Sequence, residues 1–222
     1  MDRYLRNKPL ISEEEQKKLL KSKVVVLGVG GLGGYIAEML ARVGVGVLTL
    51  VDYDKFEESN LNRQIFSNEN NIGNSKVEEG KKRINIINSG IEVRVINKKI
   101  TPTNIQKIIS GNDVVVDGLD SSSLKKLVEK SCNEVKIPMV HGAIGGFVGQ
   151  VAVIMPGDFI LNKIYGEKEV ESKLGNPSFT PGLIASIQVG EVVKLLLNKG
   201  ENLRKEILYI DLENNDFTKI PV

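Results

Sequence analysis

The sequence predicts an α/β protein on one mixed sheet, parallel in its N-terminal part and antiparallel in a C-terminal extension, with helices on both faces. Three observations predict it. Between residues 23 and 141, short β-branched runs alternate with helical periodicity, the grammar of a parallel sheet covered on both sides. The first run, Val24–Val25–Val26–Leu27, enters Gly28–Val29–Gly30–Gly31–Leu32–Gly33, a G-x-G-x-x-G turn opening a helix. After His141 the alternation stops. Gly142–Ala143–Ile144–Gly145–Gly146 leads directly into Val148–Gly149–Gln150–Val151–Ala152–Val153–Ile154–Met155 with no helix between them.

Each element has its own signal. Ser12 caps a short polar helix over 12–21, and Glu15 completes a capping box. A strand over 23–28, a helix over 33–43 and a strand over 46–51 follow, the last ending on Asp52. The connection from Asp54 to Asn74 is longer than most βα loops. Its Phe56, Leu61, Ile65, Phe66 and Ile72 are spaced to pack, so the connection is expected to be ordered and functional. Ser75 opens a helix to about Asn88, with Ser75–Lys76–Val77–Glu78 as a second capping box and Gly90 as the stop. Strand 91–96, helix 103–110, strand 113–117, helix 121–131 and strand 137–141 continue the alternation. Residues 156–180, rich in Gly, Pro and charge, read as a mobile crossover. Thr180 as N-cap and Pro181 at the first helical position start a long helix closed by Gly200. Runs over 207–212 and 216–222 end the chain as strands, and residues 1–222 read as one domain.

Composition narrows the function classes. A net charge of +2, with lysines scattered beside glutamates, lacks the dense basic stripe of a nucleic-acid binder. One cysteine, Cys132, excludes an internal disulfide and a zinc site built from cysteine pairs. No apolar run approaches the roughly 18 residues of a membrane span, and the polar start lacks a signal-peptide core. A cytoplasmic location and no membrane partner are expected.

Chemistry is carried by five features. The glycines suit a Rossmann-like nucleotide cradle. Gly28 permits the tight turn, Gly30 admits a phosphate, and Gly33 lets helix pack on strand, with unpaired N–H groups at the helix start for an anion. Asp52, about 20 residues on, is placed for ribose hydroxyls. Ser59–Asn60–Leu61–Asn62–Arg63–Gln64 follows in the long connection and reads either as a surface turn or as a ligand loop. Lys76 stands at the first position of a helix, where a cation opposes the dipole unless an anion shares the space. Asp117–Gly118–Leu119–Asp120–Ser121 ends a buried strand. Asp120 can hold Mg²⁺ there, cap the next helix, or do both. Arg3–Tyr4–Leu5–Arg6 is by itself a frayed end.

In this order these features resemble the MoeB/ThiF/HesA adenylyltransferases, the bacterial relatives of ubiquitin-activating enzymes. The resemblance includes Ile72–Gly73–Asn74–Ser75–Lys76, Gly142–Ala143, Gly149–Gln150–Val151, and Phe179–Thr180–Pro181 with Gln188 and Glu191, so it spans nearly the whole chain. It implies ATP-dependent activation of the C-terminal glycine carboxylate of a small ubiquitin-like sulfur carrier ending in Gly-Gly, as an acyl-adenylate with release of pyrophosphate. It also implies roles. Gly28, Gly30, Gly31 and Gly33 cradle the nucleotide with Ser59 and Ser121 nearby, and Asp52 holds the ribose. Asn60, Arg63 and Lys76 hold the triphosphate, and Asp120 binds Mg²⁺. Arg6 reaches the phosphates of a partner subunit, which requires a homodimer. Arg63, Lys76, Asp120 and Arg6 are then the catalytic set. A carboxylate is already ionised at neutral pH, so a chain with one histidine needs no general base.

The chain departs from this pattern where many relatives carry C-x-x-C pairs. It reads Ile160–Leu161–Asn162–Lys163–Ile164–Tyr165 there, so no zinc and no cysteine-linked step are expected. His141 reads as a packed, hydrogen-bonded histidine. The rival readings are an ATP-dependent tRNA-modifying dehydratase of the same superfamily, an NAD-dependent oxidoreductase, and a non-catalytic scaffold for a ubiquitin-like protein.

Overall fold

The computed structural model describes residues 2–167 and 174–222. Among them, β1 (Lys23–Leu27), β2 (Val47–Val51), β3 (Glu92–Ile96), β4 (Val114–Asp117) and β5 (Met139–Gly145) pair in parallel. β6 (Val148–Ile154), β7 (Glu206–Asp211) and β8 (Asp216–Pro221) extend the sheet antiparallel, in the order β3-β2-β1-β4-β5-β6-β7-β8. The mixed sheet is the one the sequence predicts.

Alternate strand residues point to opposite faces, so the sheet builds two cores. Val24 and Val26 join α1 (Glu13–Leu19), α2 (Gly31–Val43), α3 (Lys76–Ile87) and α7 (Phe179–Leu197) on one face. Val25 and Leu27 join α4 (Ile105–Ile109), α5 (Ser122–Val135) and α6 (Leu161–Tyr165) on the other. Burial on both faces is why Val114–Val115–Val116 carries no polar alternation.

Several boundaries and caps differ from the sequence reading, and next to Ser75 and at Thr180 a partner distant in sequence takes part. Ser12 and Glu15 do form their capping box, with Ser12 N donating to Glu15 Oε2 at 2.7 Å. Ser75 precedes α3 but caps nothing, and Lys76 N donates instead to Asp54 O at 3.1 Å. α7 starts from Ser178, and the buried Thr180 hydroxyl donates to Gly146 O at 2.7 Å, which ties the helix to the β5–β6 turn. α7 closes on Asn198 in the left-handed region rather than on Gly200. α2 begins at Gly31, α5 runs on to Val135 and β5 to Gly145. By length and composition α7 could cross a membrane, contrary to the expectation that no run nears that length, but 56% of its apolar window is buried. It packs against α2, β5 and β6. Within the expected crossover over 156–180 the structure places α6, and Lys168, Glu169, Val170, Glu171, Ser172 and Lys173 lie outside the described residues.

Candidate active site

A cleft of about 1040 Å³ opens at the carboxyl ends of the parallel strands. It straddles β1 and β4, where the strand order reverses and open α/β sheets take their ligands. Gly28 makes the turn at φ +81, and a Cβ there would stand 2.7 Å from Gly118 O. A Cβ at Gly33 would stand 1.8 Å from Gly28 O, so only glycine lets α2 seat on the turn. Gly30 and Gly31 line the cleft. Asp52 braces this loop: Val29 N donates to its Oδ2 at 2.8 Å and Asp54 N to its Oδ1 at 2.9 Å. Each oxygen keeps a second acceptor position for a ligand hydroxyl.

The long connection is ordered, as its apolar spacing predicts. Phe56 and Phe66 are buried, whereas Ile72 is exposed. Phe56 N donates to Asn74 O at 2.9 Å and Gly73 N to Phe56 O at 2.8 Å, which closes the loop at its base. The loop carries Ser59, Asn60 and Arg63 to the cleft wall. Asn60 is buried and accepts from Glu57 N at 3.2 Å. The Arg63 guanidinium donates to Ser59 O at 2.8 Å and Asn62 Oδ1 at 3.1 Å, both neutral acceptors, and it forms no ion pair among the described residues. Gln64, given no role from the sequence, also lines the cleft. Its buried Oε1 has no hydrogen-bond partner among the described residues.

Lys76 is buried, with its Nζ 3.1 Å from Asp54 Oδ2. The anion that its helix position calls for is therefore Asp54, and that position by itself no longer argues for a phosphate. Asp120 is exposed on the cleft rim and does not cap α5. Ser121 does, accepting from Leu124 N at 3.3 Å. Arg6 is exposed and away from this cleft. The 3₁₀ turn that carries it (Asp2–Asn7) packs Tyr4 against Gly44, at the far end of α2. A helix of 13 residues spans about 20 Å. Lys55, Lys98 and Lys99 add cations to the rim.

Behind the cleft lies a buried polar network. Asp117 Oδ2 is 2.9 Å from Lys125 Nζ and 2.8 Å from His141 Nδ1, and Lys125 also donates to Gly142 O at 2.8 Å. Burial alone would raise the Asp117 carboxyl, but the Lys125 ammonium and the His141 N–H outweigh it and hold it below the usual carboxylate range. Burial pushes the His141 imidazole down, so it stays neutral. Its Nε2 is 3.2 Å from both Gln150 Nε2 and Tyr165 Oη, side chains that line the cleft. The sequence reading of His141 as a buried, hydrogen-bonded residue matches this. The ion pair with Lys125 left no sequence signal, because Lys125 sits in a helix of ordinary charged residues. Cys132 lies in the core beneath, its thiol pushed up to about 12 by burial, which leaves it unreactive.

α5 positions Tyr165. Glu129 Oε1 accepts from Ile160 N at 2.7 Å and Leu161 N at 2.9 Å at the start of α6, and Lys126 Nζ donates to Gly166 O at 2.7 Å at its end. Burial raises the Glu129 carboxyl above its ordinary value. A folded-state pKa above the unfolded one gives a contribution that is full below the unfolded pKa and lost as pH rises through the folded one. Glu129→Gln keeps the acceptor without the charge. It is expected to match or exceed the parent's stability above the ordinary glutamate range. Glu129→Ala strands two buried N–H groups and is expected to cost ~1–3 kcal/mol. Urea unfolding at acidic and mildly alkaline pH separates the two variants.

The sequence model of the ThiF family matches residues 2–222. The chain is similar to the SAMP-activating enzyme E1 of Haloferax volcanii, 34% identical over 100% of this chain and 85% of that protein. It is 33% identical to the molybdopterin-synthase adenylyltransferase of Haemophilus influenzae, over 88% of this chain and 83% of that one. The vegetative HesA protein of Trichormus variabilis is 32% identical over 99% of this chain and 84% of its own length. Among solved structures, E. coli MccB with ATP superposes at a TM-score of 0.86, with 24% identity over 100% of this chain and 71% of MccB. That likeness is one of fold.

Proposed function

The chain belongs to the ThiF family, and on that premise we propose how its cleft performs the family's reaction. The protein is an adenylyltransferase that activates the C-terminal carboxylate of a small ubiquitin-like sulfur carrier. The observation that carries the site assignment is Arg63, a guanidinium whose partners among the described residues are neutral, on the wall of a cleft built over a glycine turn. ATP is the co-substrate that fits. Asp52 offers acceptors to the ribose, the unpartnered Gln64 Oε1 awaits a ligand donor, and Asn60, Arg63 and Lys76 stand along the same wall for the triphosphate. Ser59 and Ser121 border it.

The carboxylate of the carrier's terminal glycine attacks the α-phosphorus, and pyrophosphate leaves as the acyl-adenylate forms. The nucleophile needs no deprotonation, so the protein's work is positioning and stabilising charge that builds on the phosphates. Arg63 serves the transferring and leaving phosphates. Lys76 exchanges part of its pairing with Asp54 for a phosphate oxygen. Asp120 would hold Mg²⁺, whose chemistry is to neutralise phosphate charge. One rim carboxylate suits an ion that takes its remaining oxygens from phosphate and water. Arg6 completes the phosphate site of a second subunit in a homodimer, the arrangement that accounts for a cation placed so far from its own cleft. The protein acts in the cytoplasm, without zinc.

ATP–pyrophosphate exchange, with and without a small β-grasp protein ending in Gly-Gly, tests the reading. Carrier-dependent exchange is expected. Exchange with no carrier requirement, or ATP turnover driven by tRNA, would overturn it. Asp120→Asn is expected to raise the Mg²⁺ concentration needed for half-maximal exchange by about 10-fold or more, as loss of one charged ligand implies. An unchanged Mg²⁺ dependence removes Asp120 from that role.

A further inference from the structure

Among the described residues, the network behind the cleft carries one more hydrogen than it can accept. The Gln150 amide nitrogen has two hydrogens and the Tyr165 hydroxyl one. Two acceptors within the network face them. One is the Tyr165 oxygen, 3.0 Å from Gln150 Nε2, and the other is His141 Nε2, 3.2 Å from both groups. Asp117 fixes the imidazole tautomer. Its carboxylate lies 2.8 Å from Nδ1, so the ring hydrogen sits there and Nε2 offers a single lone pair. Gln150 and Tyr165 compete for that lone pair. Whichever one wins, the other is left with a hydrogen beside the cleft that both side chains line.

We propose that Gln150 and Tyr165 are the carboxylate-docking pair of this cleft. Their surplus hydrogen binds one oxygen of the incoming C-terminal glycine, and Asp117 and His141 are the positioning residues that keep it aimed. The inference rests on the adenylation reading and deepens it. A donor with no matching acceptor takes an acceptor oxygen, and it holds a carboxylate about twice as strongly as a neutral hydroxyl or amide oxygen. A neutral donor also suits a nucleophile. It orients one carboxylate oxygen and leaves the other free to attack, without the strong pairing a lysine or arginine would impose. The pair stands on the β6 and α6 side of the cleft, apart from the cations of the β2–α3 connection. The two ends of the reaction thus have separate walls. α6 is fastened to α5 at both ends by Glu129 and Lys126, so the Tyr165 hydroxyl is held in place before substrate arrives.

His141 is the only histidine in the chain, so its two ring nitrogens can be read without assignment ambiguity in the full-length protein. The probes are N-acetylglycylglycine and its C-terminal amide, titrated into the ¹⁵N-labelled protein. The expected result is a larger shift of the Nε2 resonance with the carboxylate than with the amide, abolished by Gln150→Leu, which leaves the Tyr165 hydrogen to His141 Nε2 and none for a ligand. In exchange assays with a Gly-Gly β-grasp carrier, Gln150→Leu is expected to raise the carrier KM roughly 10- to 100-fold, the scale of one hydrogen bond to a charged group. The ATP KM is expected to stay within about twofold, because the surplus donor serves only the carboxylate. Equal response to both probes, response to neither, or carrier and ATP KM values that move together would overturn the docking pair. The titration needs no variant to fold. A wild-type protein without carrier-dependent exchange refutes the adenylation reading, whereas an active wild type with an indifferent Gln150→Leu refutes only this inference.

Discussion

Arg63→Ala lowers kcat for carrier-dependent adenylation by roughly 10²–10³, the scale for losing one preorganised charge stabiliser. Among the described residues no carboxylate pairs with the guanidinium. It is oriented by Ser59 O and Asn62 Oδ1, and its loop is closed by backbone bonds at Phe56, Gly73 and Asn74. Its charge is therefore in place before the phosphates develop theirs, and little rearrangement is needed as the reaction proceeds. Arg63→Lys recovers only part of the rate, since an ammonium keeps the charge and loses the planar fork. The effect falls mainly on kcat, because the phosphates carry more charge on the bridging oxygen in the transition state than in bound ATP. Steady-state pyrophosphate release, followed against both ATP and carrier, is the measurement. Near-normal turnover in the alanine variant sinks the assignment.

Lys125→Met destabilises the protein by about 3–5 kcal/mol, the cost of removing one partner from a buried ion pair. Asp117 is fully buried, and with Lys125 gone its charge rests on the neutral His141 N–H and the backbone N–H of Leu119. The carboxyl then rises and takes up a proton, so the loss grows as pH increases. Combining Lys125→Met with Asp117→Asn removes both charges and recovers much of the stability. A double-mutant cycle by denaturant unfolding measures this coupling. Additive losses from the two single changes would show that the pair is not a unit.

The fold was legible because its signals are local. Strand and helix periods and the strand-to-glycine junction depend on residues a few positions apart, and they placed the sheet halves and the helices that cover the sheet, except α6, which falls in the segment read as a mobile crossover. Caps were less legible. Ser75 and Thr180 carry the right side chains in the right places, yet Asp54 O and Gly146 O, both distant in sequence, decide where those helices begin. Asp52, Asn60, Arg63 and Lys76 were singled out by their order along the chain, and the fold brings all four to one cleft. The partner of Lys76 was not, since Asp54 lies 22 positions earlier.

By itself the sequence determined the class of fold, the glycine turn and the set of cations around it. Adjacent residues constrain one another through backbone geometry, and that physics needs no knowledge of the rest of the chain. Only the tertiary structure decided which polar groups meet. Asp117, Lys125, His141, Gln150 and Tyr165 come from three strands and two helices, and nothing in their spacing announces a network. Their pairing follows from strand order and from the cost of leaving a buried polar group unmatched, which can be assessed only when all the neighbours are in place.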